Sequence, residues 1–173
     1  MASFVQRMVG AAKLNVATYE EVEADTGATG QALVVVLLSS LAIILGNFGL
    51  GQVNILGSLL SGLLGWGTWV VLVWLVGVKL MPEPATRSNV GELIRTTGFA
   101  ASPGILRVLG AVPLLGWLVA ILVWLWTLAT MVVAVRQALD YQSTARAIVV
   151  CLIGFIGQMA VLYLVWLLFK PAI

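Results

Sequence analysis

A long uncharged stretch constrains the fold of this chain more than any other feature. No Asp, Glu, Lys or Arg occurs between Asp25 and Lys79, and the runs Ala111–Val135 and Ala147–Phe169 are also uncharged. Apolar residues make up 61% of the 173 positions, and charged residues only 9%. Soluble domains contain about 25% charged residues. The composition therefore excludes a soluble enzyme and predicts an all-α membrane bundle.

The first uncharged stretch is too long for a single membrane helix, and Gly49, Gly51, Gln52 and Asn54 interrupt its middle. We predict two spans there and one in each later run. A span of about 20 residues crosses ~30 Å of hydrocarbon at ~1.5 Å per residue. The four predicted spans are Ala32–Leu50, Ile55–Val78, Ala111–Val135 and Ala147–Phe169.

The segment Leu93–Leu109 is apolar but carries Arg95, Pro103 and Arg107. Three structures fit it: a short span, a re-entrant hairpin bent at Pro103–Gly104, or an interfacial helix. With a cytoplasmic N-terminus, seven of the nine basic residues lie inside for four spans and also for five. The positive-inside rule thus predicts a cytoplasmic N-terminus and leaves the number of spans open.

Residues 1–30 are predicted to be an amphipathic arm and linker, and residues 31–173 a single transmembrane domain. Apolar residues recur in the arm at helical spacing, and Arg7 and Lys13 lie off this stripe. The pattern is typical of a helix in the membrane interface, with packing on the bundle or a partner as the alternative. The predicted interface residues are Val5, Met8, Ala12 and Val16.

The acidic run Glu20–Asp25 follows the arm. It lacks the ligand spacing of a calcium loop, so we interpret it as a solvated helix end before a linker over residues 26–30.

The order of parts matches a known pattern. Two close-spaced spans follow a polar arm, and a short third segment, Gly91–Pro103, has its proline in the second half. The stretch Val135–Tyr141 ends the next span, and Ala145–Ile148 begins the last one. Over residues 1–169 the chain resembles the Yip family (Yip-one domain, Ypt-interacting proteins) in its bacterial branch.

The resemblance implies five spans in the bacterial inner membrane with a cytoplasmic N-terminus, and we adopt that topology. Eukaryotic members bind Rab-type GTPases, but their N-terminal Asp-Leu-Tyr-Gly-Pro motif is absent here, so GTPase binding is not carried over.

Small residues at steps of four, Gly57, Ser61 and Gly65, form a stripe on the second predicted span. Such a stripe lets two helix backbones approach closely. It fits a contact with another subunit or packing inside the bundle.

Gln158 lies at the centre of the last span, near the predicted midplane, where its amide needs a partner. We expect it to face the bundle and to bond a hydroxyl, or a carbonyl beside Gly154 or Pro103. The hydroxyl candidates at similar depth are Ser39, Ser40, Thr68 and Thr127. Four tryptophans near mid-span fit either bundle packing or a site for lipid, quinone or pigment: Trp66, Trp69, Trp124 and Trp126.

Two charge pairs are predicted near the span ends, Glu92 with Arg95 and Arg136 with Asp140. The chain has no His and one Cys, so we expect no metal and no cofactor. Its net charge of +2 does not indicate nucleic-acid binding, which requires a strongly basic surface.

These features favour a non-enzymatic structural or interaction protein, whose partners would be membrane lipids and further copies or other membrane proteins. A small transporter or a protein that binds lipid or another hydrophobic ligand is the alternative.

Overall fold

The computed structural model describes residues 2–47, 54–112 and 115–169, and every regular element within these ranges is a helix. Four helical stretches are long and apolar enough to cross a membrane: Ala28–Gly46, Ile55–Leu80, Gly116–Ala138 and Thr144–Leu168. The all-α class predicted from the sequence is therefore confirmed. The helices are α1 (Phe4–Ala12), α2 (Val16–Ala24), α3 (Ala28–Gly46), α4 (Ile55–Trp74) with a π-helical extension (Leu75–Leu80), α5 (Val90–Ala100), a 3-10 helix (Ser102–Ala111), α6 (Gly116–Ala138) and α7 (Thr144–Phe169).

The helix boundaries differ most from the predicted ones at two places. α3 begins at Ala28, so the linker predicted over residues 26–30 is wrong beyond Gly27. The Asp25 side chain accepts the N–H of Gly27, and its carbonyl accepts the N–H of Ala28, which makes the turn tight. α6 begins at Gly116 because Ala111 still belongs to the 3-10 helix. The predicted end at Leu50 lies outside the described residues.

α5 and the 3-10 helix run beside α3 in the same direction. Gly98 packs against Ala32, and farther along Gly46 packs against the backbone of Arg107. A Cβ on Gly98 would lie 2.7 Å from the Cβ of Ala32, so only glycine permits this approach. The segment from Val90 to Ala111 thus accompanies α3 along most of its length.

α6 runs back along the same segment in the opposite direction. Gly116, at its start, lies against Gly110, and Thr130, two thirds of the way along, donates to the carbonyl of Ala100 at 2.7 Å. α4 and α7 form an antiparallel pair on the outside, where Gly154 packs on Val73.

The packed interior consists of two clusters. The first joins α1, α2, α3, α5 and α6 around Tyr19, Val35 and Phe99. The second joins the end of α4 to α5, α6 and α7 around Val73 and Leu139. α1 and α2 contribute fully buried residues to the first cluster, so the N-terminal arm belongs to the bundle.

The buried hydroxyls of α5 and the 3-10 helix are satisfied within the segment itself. Thr96, Thr97 and Ser102 donate to carbonyls three or four residues earlier, at 3.0, 2.5 and 2.6 Å. Because these hydroxyls need no water, a segment of modest hydropathy can occupy the centre of the bundle.

Candidate functional site

The N-terminal hairpin, defined as α1 and α2, is held to the bundle by polar contacts at its buried face. The Tyr19 hydroxyl lies 2.9 Å from the carbonyl of Ala11 and 3.3 Å from that of Thr130 on α6. The indole N–H of Trp126 donates to the carbonyl of Ala12 at 2.7 Å. These bonds tie both helices of the hairpin to α6.

Arg7 forms the electrostatic centre of the hairpin. It is only 2% exposed, and its guanidinium lies 2.7 Å from Asp25, 3.1 Å from Glu21 and 3.0 Å from the side-chain oxygen of Gln31 on α3. Burial lowers its pKa, but the bonds to Asp25 and Glu21 outweigh burial, and the net pKa is raised. Arg7 lies off the apolar stripe of the arm and is nevertheless buried, because the carboxylates of α2 neutralise it inside.

Arg7 acts on the two acids in the opposite sense. A bond from the backbone N–H of Ala2 and one from Arg7 lower the pKa of the Glu21 carboxyl, and the bond from Arg7 lowers that of Asp25. The acidic run thus serves partly as a counter-charge within the fold.

The predicted interface stripe of the arm is divided between two environments. Val5 and Val16 are exposed, at 63% and 46%. Met8 is partly buried and packs against the first cluster. Ala12 is half-buried, and its carbonyl accepts the indole N–H of Trp126.

The predicted pair of Glu92 with Arg95 is absent. Glu92 closes a capping box with Asn89 at the start of α5. Arg95, 7% exposed, donates through Nε to the carbonyls of Val22 and Glu23, both at 3.0 Å. These carbonyls form the negative end of the α2 dipole, and they satisfy a buried guanidinium without a carboxylate.

Glu23 is half-buried at the same end of the bundle. Burial raises the pKa of its carboxyl to about 7, with further raising by Glu20, Asp140 and Glu92 and an opposing effect from Arg95. The docked hairpin therefore has one carboxyl that takes up a proton near neutral pH.

The second predicted pair, Arg136 with Asp140, is also absent. α6 ends at Ala138, and Asp140 has a left-handed φ of 53°, which turns it away from the helix. Arg136 donates instead to the carbonyl of Tyr141 at 3.2 Å, and Asp140 accepts the N–H of Arg87 at 3.4 Å.

Gln158 makes a contact between helices, but with a partner that was not predicted. Its Nε2 donates to the backbone carbonyl of Gly65 on α4 at 2.9 Å. Ser40 and Thr127 donate to carbonyls of their own helices, at 2.9 and 2.7 Å. Ser39 donates to Ala101 at 2.7 Å.

Ser40 and Thr127 do not reach Gln158, because a helical Ser or Thr finds a carbonyl one turn back, and Ser39 bonds to Ala101 instead. Thr68 is half-buried on α4.

The small-residue stripe is likewise divided. A Cβ on Gly65 would lie 3.3 Å from the amide of Gln158, so this glycine serves the contact with α7. Gly57 lies against its own N-cap, Asn54, and Ser61 is exposed on α4.

The four mid-span tryptophans do not form one cluster. Trp124 and Trp126 are exposed, at 54% and 41%, whereas Trp69 lies beside Gly154. Trp66 packs against both interior clusters, and its buried indole N–H has no partner among the described residues.

Sequence reasoning missed the buried roles of Arg7, Arg95 and Tyr19. One signal was available, since Arg7 is the only arginine of residues 1–30, which also contain the acidic run Glu20–Asp25. No comparable signal marks Arg95, whose partners are carbonyls. In the part of the chain that the structure describes, no group of three or more Asp, Glu or Cys could hold a metal ion.

Comparison with known proteins agrees with the order of parts noted in the sequence. The family model described as the Yip1 domain matches residues 15–167, which run from the start of α2 almost to the end of α7. No curated protein and no solved structure matches the chain.

Proposed function

The chain belongs to the Yip1 domain family, and from this premise we propose that it is a non-enzymatic structural or interaction subunit of the membrane that associates with further copies of itself. The observation that carries the proposal is the apolar face that α4 leaves uncovered. Leu56, Leu60 and Leu64 are 68%, 51% and 70% exposed, and Ser61 is exposed among them. Of the predicted stripe, Ser61 lies on this face, whereas Gly65 serves the contact with α7.

A second copy suits this face better than lipid alone. Small residues between leucines allow a facing helix to approach closely, and the serine hydroxyls gain from a partner in hydrocarbon. Ser58 and Ser61 both lie on the exposed side.

Cysteine crosslinking in native membranes tests this contact. In a Cys151→Ala background, Ser61→Cys should give a crosslinked dimer when oxidised, because the faces of two copies would bring both thiols together. Leu125→Cys, at an exposed site on α6, is the matched control. Equal crosslinking at both positions, or none at Ser61→Cys, would refute the proposed interface.

Five spans are the topology that we propose, with Val90–Ala111 as the third. Its 11 α-helical and 10 3-10 residues extend about 36 Å at the rises of the two helix types, enough for the hydrocarbon layer. The contacts of this segment with α3 and α6 near both of its ends support its assignment as a span. The positive-inside rule supports a cytoplasmic N-terminus, and the family resemblance favours the bacterial inner membrane.

The outward face of the hairpin provides the membrane anchor in this proposal. Val5 and Val16 would contact lipid, while Met8 and Ala12 hold the hairpin to the bundle. Replacing Val5 by Asp should then weaken the protection of the arm from protease without expelling the spans.

One observation favours the alternative, a lipid-handling or transport protein. The buried indole N–H of Trp66 lies between the two interior clusters without an acceptor among the described residues. The ester carbonyl of a lipid, or an acceptor oxygen of another hydrophobic ligand, could accept this N–H. Trp66→Phe should weaken binding of such a ligand and leave the dimer intact.

A further inference from the structure

Arg107, in the 3-10 helix, is a cation without a carboxylate partner among the described residues. Its Nε is buried without a hydrogen-bond partner among the described residues, and the residue as a whole is half-buried. Protein therefore encloses the Nε of the guanidinium, and the exposed part of Arg107 consists of its other atoms.

The position of Arg107 separates it from every carboxylate side chain of the chain. Its backbone lies against Gly46 at the end of α3, and Gly110 and Gly116 lie one turn beyond. The acids are at the opposite ends of these helices, in or beside α2, after the π-helical extension, in the first turn of α5 and after α6. They are Glu20, Glu21, Glu23, Asp25, Glu83, Glu92 and Asp140.

A half-buried guanidinium without an internal anion needs an external one, because an uncompensated charge in a low dielectric is costly. Its planar fork matches a phosphate group. Trp117, 68% exposed in the first turn of α6, lies at the same end of the bundle and has the character of an interfacial residue.

We infer that Arg107 binds the phosphate of a lipid headgroup in the leaflet opposite the acidic end of the bundle. The inference rests on the proposed five-span topology, which places this end at the headgroups. It requires neither the proposed dimer nor the hairpin anchor.

Native mass spectrometry in a neutral detergent, with phosphatidylglycerol as the titrated lipid, tests the site. Arg107→Gln should weaken lipid binding about tenfold, because a charge-assisted hydrogen bond is lost. Arg87→Gln removes the same charge from an exposed position at the acidic end, and we expect binding to stay unchanged there. Equal affinity in Arg107→Gln and the unmodified protein would overturn the inference.

Two further arms cover the other outcomes. Arg107→Lys keeps the charge but not the fork, so we expect binding weakened severalfold, and this variant replaces glutamine if the latter fails to fold. A lysine variant that binds as tightly as the unmodified protein would overturn the assignment. Inorganic phosphate should not compete; if it displaces the lipid, the site takes free phosphate.

Failure of the topology is distinguishable from failure of the site. A reporter after Arg107 that reads as cytoplasmic would reject the topology, whereas a non-cytoplasmic reading with unchanged lipid binding would reject only the site.

Discussion

Gln158 carries an amide into the middle of α7, and its bond to the carbonyl of Gly65 joins two outer helices. Gln158→Leu should lower the free energy of unfolding by about 1 kcal/mol, since the unfolded helix also finds partners in the membrane. Thermal unfolding in detergent measures the change, and Met159→Leu, at an exposed neighbour, is the control. A loss above about 3 kcal/mol would mean that Gln158 supports more than this single bond.

Replacement of glycine by alanine should change the free energy of unfolding in opposite directions at Gly98 and at Gly67. At Gly98 a new Cβ would press on Ala32, and the adjustment of two backbones should cost about 1–3 kcal/mol. At Gly67 on α4, where no atom lies within 4 Å, alanine should stabilise by about 0.5–1 kcal/mol. Unfolding transitions of the two variants provide the comparison, and destabilisation of similar size at both sites would contradict the proposed role of Gly98.

The position of Gln158 in the middle of α7 could be predicted from the sequence, but its partner could not. Hydropathy fixes where a residue lies along a span, whereas the choice of partner depends on helix rotation and on backbone carbonyls that every residue carries. The same limit applies to Arg95, whose acceptors on α2 are 73 and 72 residues away in sequence.

At the scale of elements, the hairpin depends on the charge of Arg7. Arg7→Gln leaves Glu21 and Asp25 without their cation, and we expect docking of the hairpin to weaken by about 2 kcal/mol. Limited proteolysis should then cut the arm sooner. Lys13→Gln, at an exposed position of the same hairpin, should not change the rate of cleavage, and equal rates in both variants would refute the role of Arg7.

Docking of the hairpin should also depend on pH with a maximum near pH 5. The lowered pKa values of Glu21 and Asp25 stabilise docking above their undocked values of about 4, and this contribution is lost on further acidification. Glu23, with a docked pKa of about 7, favours docking at low pH, and its contribution is lost as the pH rises through 7.

Protection from protease, measured between pH 3.5 and 8.5 with an acid-tolerant and a neutral protease, should follow this curve. Glu23→Gln should remove the decline between about pH 5 and pH 7 and leave the acid limb unchanged. A decline that persists in Glu23→Gln would assign it to another group.

The arm and the third segment also show why element-level prediction was incomplete. The helical period of the arm was visible, but an apolar stripe does not reveal whether lipid or protein covers it. Hydropathy does not identify α5 as a membrane helix because its side chains face protein. Thr96 and Thr97 can be buried there, since their hydroxyls donate to carbonyls of the same helix.

For the molecule as a whole, the proposed five spans place the two termini on opposite sides. A reporter fused after Ile173 should read as non-cytoplasmic, and one before the arm as cytoplasmic. The same reporter after Asp140, between α6 and α7, should be cytoplasmic. A cytoplasmic reading at Ile173 would mean four spans and a third segment that does not cross.

The class of fold was accessible from composition because few charges in a short chain leave lipid as the only solvent. The four long helices followed from uncharged length. The packing of α5 between α3 and α6 was not accessible, because it depends on Gly98 and Gly104, whose spacing has no meaning until their neighbours on α3 are known.

The central position of α5 and the 3-10 helix has a consequence for biogenesis. In the proposed topology, a segment with Arg95, Arg107 and buried hydroxyls gains little from lipid by itself, so we expect its transfer into the bilayer to wait for α6, which emerges from the ribosome later. We expect residues 90–111 to stay out of the membrane when synthesis stops at 112, and to enter once α6 has followed. The chain would then complete its bundle in an order different from the order of its synthesis.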